Sequence, residues 1–395
     1  MQKLKLITKE QRDSGSSCCG SEQGTGAASS RDVARNMLSC PDANRSAPRW
    51  ITGTVPTPAG VVPQAATAWT RDDYWGMIKS RSGAYRMRYS VAPGLYAVGA
   101  PGRDSDVLVT ANYKLSFDIV RRALTRSNAW VLVLDTKSIN VWCAAGKGTF
   151  GTDELAKRIT EARLDAIVSH RRVIVPQLGA VGVSAADVLK RTGFRVSFGP
   201  VEARDIPEYI RAGYKKSKAM STMRFTMLDR LVLTPMEINP AMKKFPWVAA
   251  GILLVFGLQP SGLLFKEAWI NGLPFQLLGL LAVFTGALVT PVLLPFVPFR
   301  SFAVKGWIMG VLSVIVATRY IGLSGVQDPI LLIVAYLLFP ALSSYIALQF
   351  TGSTTFTGMS GVKKELKIGI PLYIGAASIS VILMVVFKRR EWGIV

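Results

Sequence analysis

The long apolar segments that follow Trp247 constrain the fold of this chain more than any other feature. Half of all residues are apolar types, and most of the excess lies beyond Trp247 in runs longer than a soluble core requires. A run of roughly 17–25 apolar residues can cross the hydrocarbon core of a bilayer as a helix. We therefore predict an all-α transmembrane domain of about five helices in residues 247–395, with spans near 247–265, 273–297, 304–323, 329–350 and 368–387.

The charge distribution predicts which side of the membrane the N-terminal part occupies. The chain has a net charge of +22, and Lys243 and Lys244 directly precede the first predicted span. Basic residues favour the cytoplasmic side, and the first residues lack the apolar stretch of a cleaved signal peptide. We expect a multi-pass protein of the cytoplasmic membrane with its N-terminal domain in the cytoplasm. The basic residues 388–390 do not fit five crossings, so either the segment interrupted at 259–262 does not cross or the charge rule is overridden.

The same features exclude several classes of function. No nucleic-acid-binding module is recognisable, and anionic membrane lipid accounts for the basic surface, so we expect no nucleic-acid partner. No predicted span carries an ionisable residue at its middle, because Arg319 lies near an end. An ion or proton pathway usually needs such residues. An anchored enzyme is therefore favoured over a transporter with a cytoplasmic regulatory domain.

Short apolar strands alternate with helices of about ten residues between residues 90 and 215. This alternation is typical of a mostly parallel sheet covered by helices on both faces, and it predicts a Rossmann-like α/β domain over 71–215. Edge strands are predicted at 86–89 and 94–98. Further strands are predicted at 107–110, 130–134, 173–175 and 194–198, with helices at 72–79, 116–124, 152–163, 184–191 and 205–212.

The segments that flank this domain have distinct compositions. Residues 1–70 are rich in Ser, Gly, Ala and Pro and are predicted to be a mobile tail, with one short helix near 31–38. Residues 216–246 are predicted to be a basic juxtamembrane linker. The four cysteines, Cys18, Cys19, Cys40 and Cys143, have no metal-site or disulfide spacing. The vicinal pair in the tail is interpreted as incidental, and His170 as structural.

The segment Asn140–Lys147 is the candidate functional site. It follows the strand at 130–134, and parallel strands present functional groups at their carboxyl ends. Cys143 is followed by Ala144, Ala145 and Gly146, which are small enough for a flat ligand to approach the backbone. A cysteine near a helix N-terminus and a lysine favours the thiolate form, which binds metals. We predict a planar, metal-bearing cofactor with Cys143 as an axial ligand.

Three other interpretations of this segment were weighed. Residues 146–151 spell GxGxxG, but about eleven residues separate them from the strand, and no acidic residue ends the next strand, as a dinucleotide site requires. The segment is not a phosphate-binding P-loop, because it lacks the first glycine of that motif and the Ser or Thr that follows its lysine. Cys143 as a small buried hydrophobic residue remains open on the residues alone.

The whole octet Asn140–Lys147 resembles the cap-helix motif of the HgcA family, the membrane-anchored corrinoid proteins of microbial mercury methylation. The similarity continues through Gly148–Thr152 and includes Val109–Leu115 on the first strand. It implies a corrinoid bound base-off to the Rossmann-like domain, with the Cys143 thiolate as lower axial ligand of cobalt. The cofactor-binding residues that we assign on this basis are Thr110, Ala111, Asn112, Asn140, Val141, Trp142, Cys143, Ala144, Ala145, Gly146, Lys147 and Gly148.

The resemblance also implies a reaction and its partners. A thiolate opposite a cobalt-bound methyl group donates electron density towards it, which suits transfer to a soft electrophile such as Hg(II). The expected function is a corrinoid-dependent methyltransferase that forms methylmercury from a pterin-linked methyl donor. A ferredoxin-like iron–sulfur protein, HgcB in that family, is the expected electron donor, since this chain has no iron–sulfur motif. The alternative is a membrane-anchored corrinoid methyl carrier of one-carbon metabolism that does not act on mercury.

Overall fold

A mixed seven-stranded sheet organises the N-terminal half of the protein. The structure is a computed structural model that describes residues 48–320, 328–353 and 359–394. The strand order is β1-β2-β3-β5-β4-β6-β7, in which β5, β4, β6 and β7 are parallel to one another, whereas β3 is antiparallel to β5 and β1 to β2. The strands are Ile51–Thr57 (β1), Gly60–Ala65 (β2), Gly94–Val98 (β3), Val107–Ala111 (β4), Ala129–Leu134 (β5), Arg172–Val175 (β6) and Arg195–Phe198 (β7).

Helices cover both faces of this sheet and bury the central strands completely. Every residue of β4 and β5 is buried, and alternate residues belong to two separate hydrophobic cores. This two-sided burial explains why these strands are continuous apolar runs rather than alternating patterns. The helices of the domain are Arg71–Ser80 (α1), Lys114–Ala123 (α2), Val141–Lys147 (α3), Thr152–Glu161 (α4), Leu164–Ile167 (α5), Ala185–Thr192 (α6) and Ile206–Arg211 (α7).

The strand order places a topological switch point between β4 and β6. The chain runs from β4 to β5 on one side, then crosses to β6 on the other side of β4. Helix α2 packs on one face of the sheet, and α4 and α6 pack on the other. In open α/β sheets, the crevice at the carboxyl ends of the strands beside such a switch point is where ligands bind.

The α/β domain confirms most of the predicted elements and corrects three of them. Residues 51–65 form β1 and β2 and belong to the sheet, so the predicted tail of residues 1–70 extended too far into the folded domain. The edge strand predicted at 86–89 is instead a 3₁₀ turn, Ala84–Arg88. The segment around Cys143, predicted as a loop, is the short helix α3. The helix predicted near 31–38, Cys18, Cys19 and Cys40 lie outside the described residues.

The C-terminal half is a bundle of long apolar helices. In the described residues, four helical segments are long and apolar enough to cross a membrane: Phe265–Val292, Phe302–Tyr320, Pro329–Gln349 and Gly361–Glu391. They belong to helices Phe265–Phe284 (α10), Phe302–Ile315 (α11), Pro329–Gln349 (α12) and Met359–Glu391 (α13), and π-helical turns extend α10 and α11.

The segment predicted as the first span forms a different structure. Helix Met227–Leu233 (α8) and helix Pro235–Gly257 (α9) follow the α/β domain, and α9 ends before a two-stranded hairpin, Leu258–Gln259 (β8) and Gly262–Leu263 (β9). Helix α9 contains Pro240, Lys243, Lys244 and Pro246, and it is not one of the four apolar segments. The predicted count of five spans is therefore supported for four, whereas the first predicted span is divided between α9 and the hairpin.

Small residues allow the bundle helices to approach closely. A Cβ atom on Gly306 would lie 2.6 Å from the Cβ of Ala347, and one on Gly310 would lie 2.7 Å from the Cα of Pro340. The Ser343 hydroxyl donates a hydrogen bond to the Gly306 carbonyl at 2.9 Å. Such contacts between small residues are typical of helix packing in membranes, where close backbone approach replaces the hydrophobic driving force.

Candidate functional site

A cavity of about 390 Å³ lies at the carboxyl ends of β4 and β6, beside the switch point. Its volume is within the range of small-molecule sites, roughly 300–1,000 Å³. Most of its lining is apolar, and Arg86 is the one charged residue among the lining residues. The sheet and α2 contribute Leu108, Thr110, Ile119, Val120 and Ile174; the segment before and within α3 contributes Asn140, Val141, Trp142 and Cys143. The cavity thus contains the predicted cysteine.

Helix α3 holds Cys143 in a defined position at this cavity. Asn140 is the N-cap, and its side-chain oxygen accepts a hydrogen bond from the Cys143 amide at 2.9 Å. Gly148 ends the helix with a φ of +81°, a left-handed conformation that glycine adopts readily. Cys143 is a free thiol of intermediate exposure. The sequence Asn-x-x-Cys therefore places a thiol on the first turn of a capped helix at the cavity wall.

Thr110 contributes an unsatisfied polar group to the cavity. Its side chain is buried, and its Oγ1 atom has no hydrogen-bond partner within the described residues. Thr110 lies on the same face of β4 as Leu108, and both line the cavity. Because a buried hydroxyl without a partner is costly, this atom is a natural hydrogen-bonding site for a ligand.

Asn112 supports the site without lining it. Its side-chain oxygen accepts hydrogen bonds from the Thr136 amide and hydroxyl and from the Ser138 amide, at 2.8–3.1 Å. Its amide nitrogen donates to Asp135 at 3.2 Å. These bonds fix the loop between β5 and α3 to the end of β4. Asn112 therefore positions the segment that carries Cys143.

The structure brings only part of the predicted residue set to the cavity. Five of the twelve line it: Thr110, Asn140, Val141, Trp142 and Cys143. Ala111, Ala144 and Ala145 are buried in the hydrophobic core on the opposite face of the sheet, where α3 packs. Gly146, Lys147 and Gly148 are exposed and do not line the cavity. A corrin ring that contacted these residues would have to extend beyond the cavity.

Residues from the linker form a wall of the cavity that the sequence did not reveal. Met223, Phe225, Leu233 and Met236 line it from the segment between the α/β domain and the bundle. Arg86, in the 3₁₀ turn, donates a hydrogen bond from Nη1 to the sulfur of Met236 at 3.8 Å. The predicted juxtamembrane linker 216–246 is therefore packed over the end of the sheet. No periodic pattern in residues 216–226 signals this contact.

The glycine-rich segment after Cys143 connects two helices. Gly148 caps α3 and Gly151 is the N-cap of α4, and a Cβ on Gly151 would lie 2.9 Å from the Gly148 carbonyl oxygen. A dinucleotide fingerprint instead joins a strand directly to a helix. His170 hydrogen-bonds the Ser105 carbonyl through Nε2 at 3.0 Å, as a structural histidine does. Among the described residues, no cluster of three His, Cys, Asp or Glu side chains is arranged to hold a metal ion.

The α/β domain has recognisable relatives.

A family described as CO dehydrogenase/acetyl-CoA synthase delta subunit matches residues 81–210. The acetyl-CoA decarbonylase/synthase complex subunit gamma of Methanopyrus kandleri is 32% identical over 122 residues, which are 30% of this chain and 26% of the relative. The corresponding subunits of Archaeoglobus fulgidus and Methanocaldococcus jannaschii are each 30% identical, over 131 and 133 residues, which are 33% of this chain and 27% of each relative.

The family match concerns the α/β domain alone. The chain spans about a quarter of the length of the curated relatives it matches. The matched residues 81–210 include β3 to β7, the cavity residues on the sheet, and α3 with Cys143. The bundle of apolar helices lies outside the matched region. The similarity therefore bears on the cavity and its surroundings, and it leaves the role of the bundle to the structure.

Proposed function

We propose that this protein binds a corrinoid at the cavity and transfers methyl groups, with the Cys143 thiolate as lower axial ligand of cobalt. One observation carries the proposal: a free thiol on a capped helix lines a cavity at the switch point of an α/β domain. That domain is similar to subunits of complexes that make or cleave acetyl-CoA. The octet Asn140–Lys147 supports the same assignment through its resemblance to the HgcA family.

The residues present fit such a cofactor in two respects. Cys143 offers a soft ligand to cobalt, and the unpartnered Thr110 hydroxyl offers a hydrogen bond to a polar substituent. A corrinoid is larger than about 390 Å³, so part of it would lie outside the cavity, towards the exposed face of α3. Gly146 leaves the backbone accessible there, because a Cβ on this residue would meet no atom within 4 Å.

The chain's own residues then have separate tasks. A bound corrinoid would supply a cobalt centre that accepts and releases a methyl group. Asn140 fixes the backbone of Cys143, and Asn112 fixes the loop that precedes α3. Ile119, Val120 and the linker methionines give the cavity an apolar wall on the thiol side. Low local polarity would strengthen the electrostatic effect of the thiolate on a bound metal ion.

We propose Hg(II) as the methyl acceptor. A thiolate is a strong electron donor, and donation of this kind favours delivery of methyl with its bonding electrons to a soft electrophile. The proposed product is methylmercury, the methyl donor is pterin-linked, and a ferredoxin-like iron–sulfur protein restores the reduced cofactor. The second candidate function is a corrinoid methyl carrier of one-carbon metabolism. The similarity to acetyl-CoA decarbonylase/synthase subunits favours this alternative.

We further propose that the helical bundle anchors the protein in the cytoplasmic membrane with the α/β domain in the cytoplasm. The four long apolar segments support this, as do the basic residues Lys215, Lys216, Lys218 and Arg224 before the bundle. Lys388 donates to the Phe256 carbonyl at 3.2 Å, so the C-terminal end of α13 lies beside the C-terminal end of α9. That position is at the opposite end of the bundle from α8.

Methyl transfer by purified protein tests this proposal. The full chain, loaded with a corrinoid and supplied with a reductant and a methyl donor, should form methylmercury from Hg(II). Cys143→Ala should lose at least about 100-fold in rate, the scale on which loss of a ligand or its support acts. The Cys18→Ala/Cys19→Ala double variant, which also removes thiols that bind Hg(II), serves as the control and should keep the wild-type rate. Loss of activity in the double variant, with activity retained in Cys143→Ala, would contradict the proposal.

A further inference from the structure

Arg230 is a buried cation with two nitrogen donors, Nε and Nη1, that lack partners among the described residues. It lies in α8 and is 4% exposed. Burial lowers the pKa of Arg230, although the nearby charge of Asp229 opposes this effect. Asp229 is itself committed to the N-terminus of α8, where it accepts hydrogen bonds from the Thr226 amide and hydroxyl at 2.9 and 2.7 Å. An unpaired buried charge is strongly destabilising unless a partner of opposite charge is supplied.

Two further polar side chains meet Arg230 at the junction of α8 with the bundle. Helix α8 contacts the turn Thr290–Val292. An apolar cluster at this junction brings three side chains together: Leu233, Leu294 and Phe302. Each of these apolar residues has a polar residue one turn away in sequence. Arg230 lies three residues before Leu233, Thr290 four residues before Leu294, and Lys305 three residues after Phe302. The segment that carries Thr290 thus lies against α8, and Lys305 is close enough to Arg230 for the two charges to interact.

These converging groups carry positive charge and open hydrogen-bonding capacity. Thr290 is fully buried, and its Oγ1 atom has no hydrogen-bond partner among the described residues. Lys305 donates a hydrogen bond to the Leu294 carbonyl, and its charge and that of Arg230 repel each other. The carboxylate of Glu365 is already occupied by hydrogen bonds from the Ser301 hydroxyl and the Ala303 amide, both at 2.9 Å. Within the part of the chain that the structure describes, the junction therefore has two cations that form no salt bridge and one hydroxyl without a hydrogen-bond partner.

We propose that Arg230, Lys305 and Thr290 form a binding site for the phosphate of an anionic phospholipid headgroup. A guanidinium presents several donors to phosphate oxygens, and an ammonium and a hydroxyl complete the coordination. The exposed apolar side chains of α8, Met227, Leu228 and Leu231, support a lipid over a free anion. An amphipathic helix of this kind lies in the interface, with its apolar face among acyl chains.

The site would couple the membrane to the cavity wall. Leu233 follows Arg230 in α8 and lines the cavity, as does Met236 at the start of α9. A lipid that neutralises Arg230 would stabilise α8 against the bundle and hold these two residues in place. The proposal itself depends only on Arg230 and its neighbours, and it stands whether or not the cavity binds a corrinoid.

Native mass spectrometry of the full chain in detergent tests the site with defined lipids. Wild-type protein should retain one phosphatidylglycerol about tenfold or more tightly than Arg230→Met, since charge-assisted hydrogen bonds contribute most of the affinity. Phosphatidylcholine should be retained less well by the wild type. The matched control is Lys244→Met, which removes an exposed cation from α9 and should retain phosphatidylglycerol like the wild type.

Thermal unfolding of the same variants separates lipid binding from misfolding. Without lipid, Arg230→Met should unfold at the wild-type temperature or above it, because the substitution removes a buried unpaired charge. Added phosphatidylglycerol should raise the unfolding temperature of the wild type and leave that of Arg230→Met unchanged. Equal phosphatidylglycerol retention by wild type and Arg230→Met would overturn the proposal. Displacement of the lipid by millimolar inorganic phosphate would also overturn it, by assigning the site to a free anion.

Discussion

Cys143 is the residue on which the proposed chemistry depends, and its surroundings determine what it can bind. The sequence identifies this cysteine by its small neighbours and by the octet that contains it. The structure adds that Cys143 lies on the first turn of α3, with its amide bonded to the Asn140 side chain. This geometry could not be read from the sequence, because a seven-residue helix shows too few periods to be distinguished from a loop.

Thr110 provides a test at the level of one hydroxyl group. Thr110→Val removes a buried, unpartnered donor and acceptor while keeping the shape of the side chain. We expect apoprotein stability to be unchanged or higher, because no hydrogen bond within the described residues is lost. Corrinoid affinity should fall by about 1 kcal/mol, or several-fold in Kd, measured by quenching of tryptophan fluorescence.

Thr136→Val is the matched control for this experiment. Thr136 is also a buried threonine, but its hydroxyl hydrogen-bonds Asn112 at 2.8 Å and the Ile139 carbonyl at 2.6 Å. The control should lower the free energy of unfolding by about 1–3 kcal/mol. If Thr110→Val lost as much stability as Thr136→Val, the Thr110 hydroxyl would already have a partner, and its role in ligand binding would be wrong.

Asn140 tests whether α3 must be capped for the site to work. Asn140→Ala removes the acceptor of the Cys143 amide and should cost about 1 kcal/mol of stability, whereas Asn140→Asp retains the cap. We expect corrinoid retention after gel filtration to fall in the alanine variant and to recover in the aspartate variant. Equal retention in both variants would show that cofactor binding does not require the cap.

At the scale of elements, a buried ion-pair network joins α1 and α2 beneath the N-terminal strands. Lys114 forms salt bridges with Asp73 at 2.8 Å and with Asp118 at 2.7 Å, and Arg121 pairs with the same two carboxylates at 2.8 and 2.7 Å. All four side chains are at most 8% exposed. The Tyr89 hydroxyl also donates a hydrogen bond to Asp118. Burial, together with the negative charge of Asp118, raises the pKa of Tyr89. The network fixes the helix that forms one wall of the cavity.

Breaking this network should destabilise the protein more than any surface substitution. Lys114→Met leaves Asp73 and Asp118 with one cation instead of two and should cost about 3–5 kcal/mol. Thermal unfolding of the full chain in detergent measures the loss. Lys157→Met is the control, because Lys157 pairs with Glu161 on the exposed surface of α4, and its loss should change stability little. Similar losses in the two variants would mean that the buried pairs contribute no more than surface pairs.

The same network predicts an acid limit to stability. Burial alone would raise the pKa of Asp73, but hydrogen bonds from Lys114, Thr70 and Arg121 outweigh it and lower the pKa to about 2. A carboxylate whose pKa is lower in the folded state stabilises the fold above its unfolded pKa of about 4. This stabilisation should be lost as the pH falls from about 4 to about 2. Unfolding titrations should show a shallower pH slope in Asp73→Asn than in the wild type across this window, and identical slopes would contradict the prediction.

Elements with strong local signals were predictable from the sequence, and elements defined by tertiary contacts were not. The fully apolar run of β5 predicted a buried central strand, and Ser184 and Gly193 marked the two ends of α6. In contrast, β1 contains Pro56 and lies in a segment rich in Ala, Pro and Gly, whose composition resembles that of a tail. Its place at the edge of the sheet depends on pairing with β2. Likewise, no local pattern in residues 223–236 predicts that they line the same cavity as Cys143, which lies far earlier in the chain.

At the scale of the whole molecule, the cavity lies between the α/β domain, which is similar to acetyl-CoA decarbonylase/synthase subunits, and the bundle of long apolar helices. The α/β domain contributes the cysteine and the hydroxyl, and the linker with the first residues of α9 contributes the opposite wall. The segment that connects the α/β domain to the bundle therefore forms part of the site.

The absorption spectrum of the full-length protein, purified without oxygen after growth with ample corrinoid, tests the central claim most directly. If the Cys143 thiolate is bound to cobalt, the wild type should carry about one corrinoid per chain, with bands of a sulfur-ligated cobalt. Those bands should shift in Cys143→Ala to those of a corrinoid with water or no ligand below the ring. A colourless wild-type protein, or identical spectra for wild type and Cys143→Ala, would contradict the account.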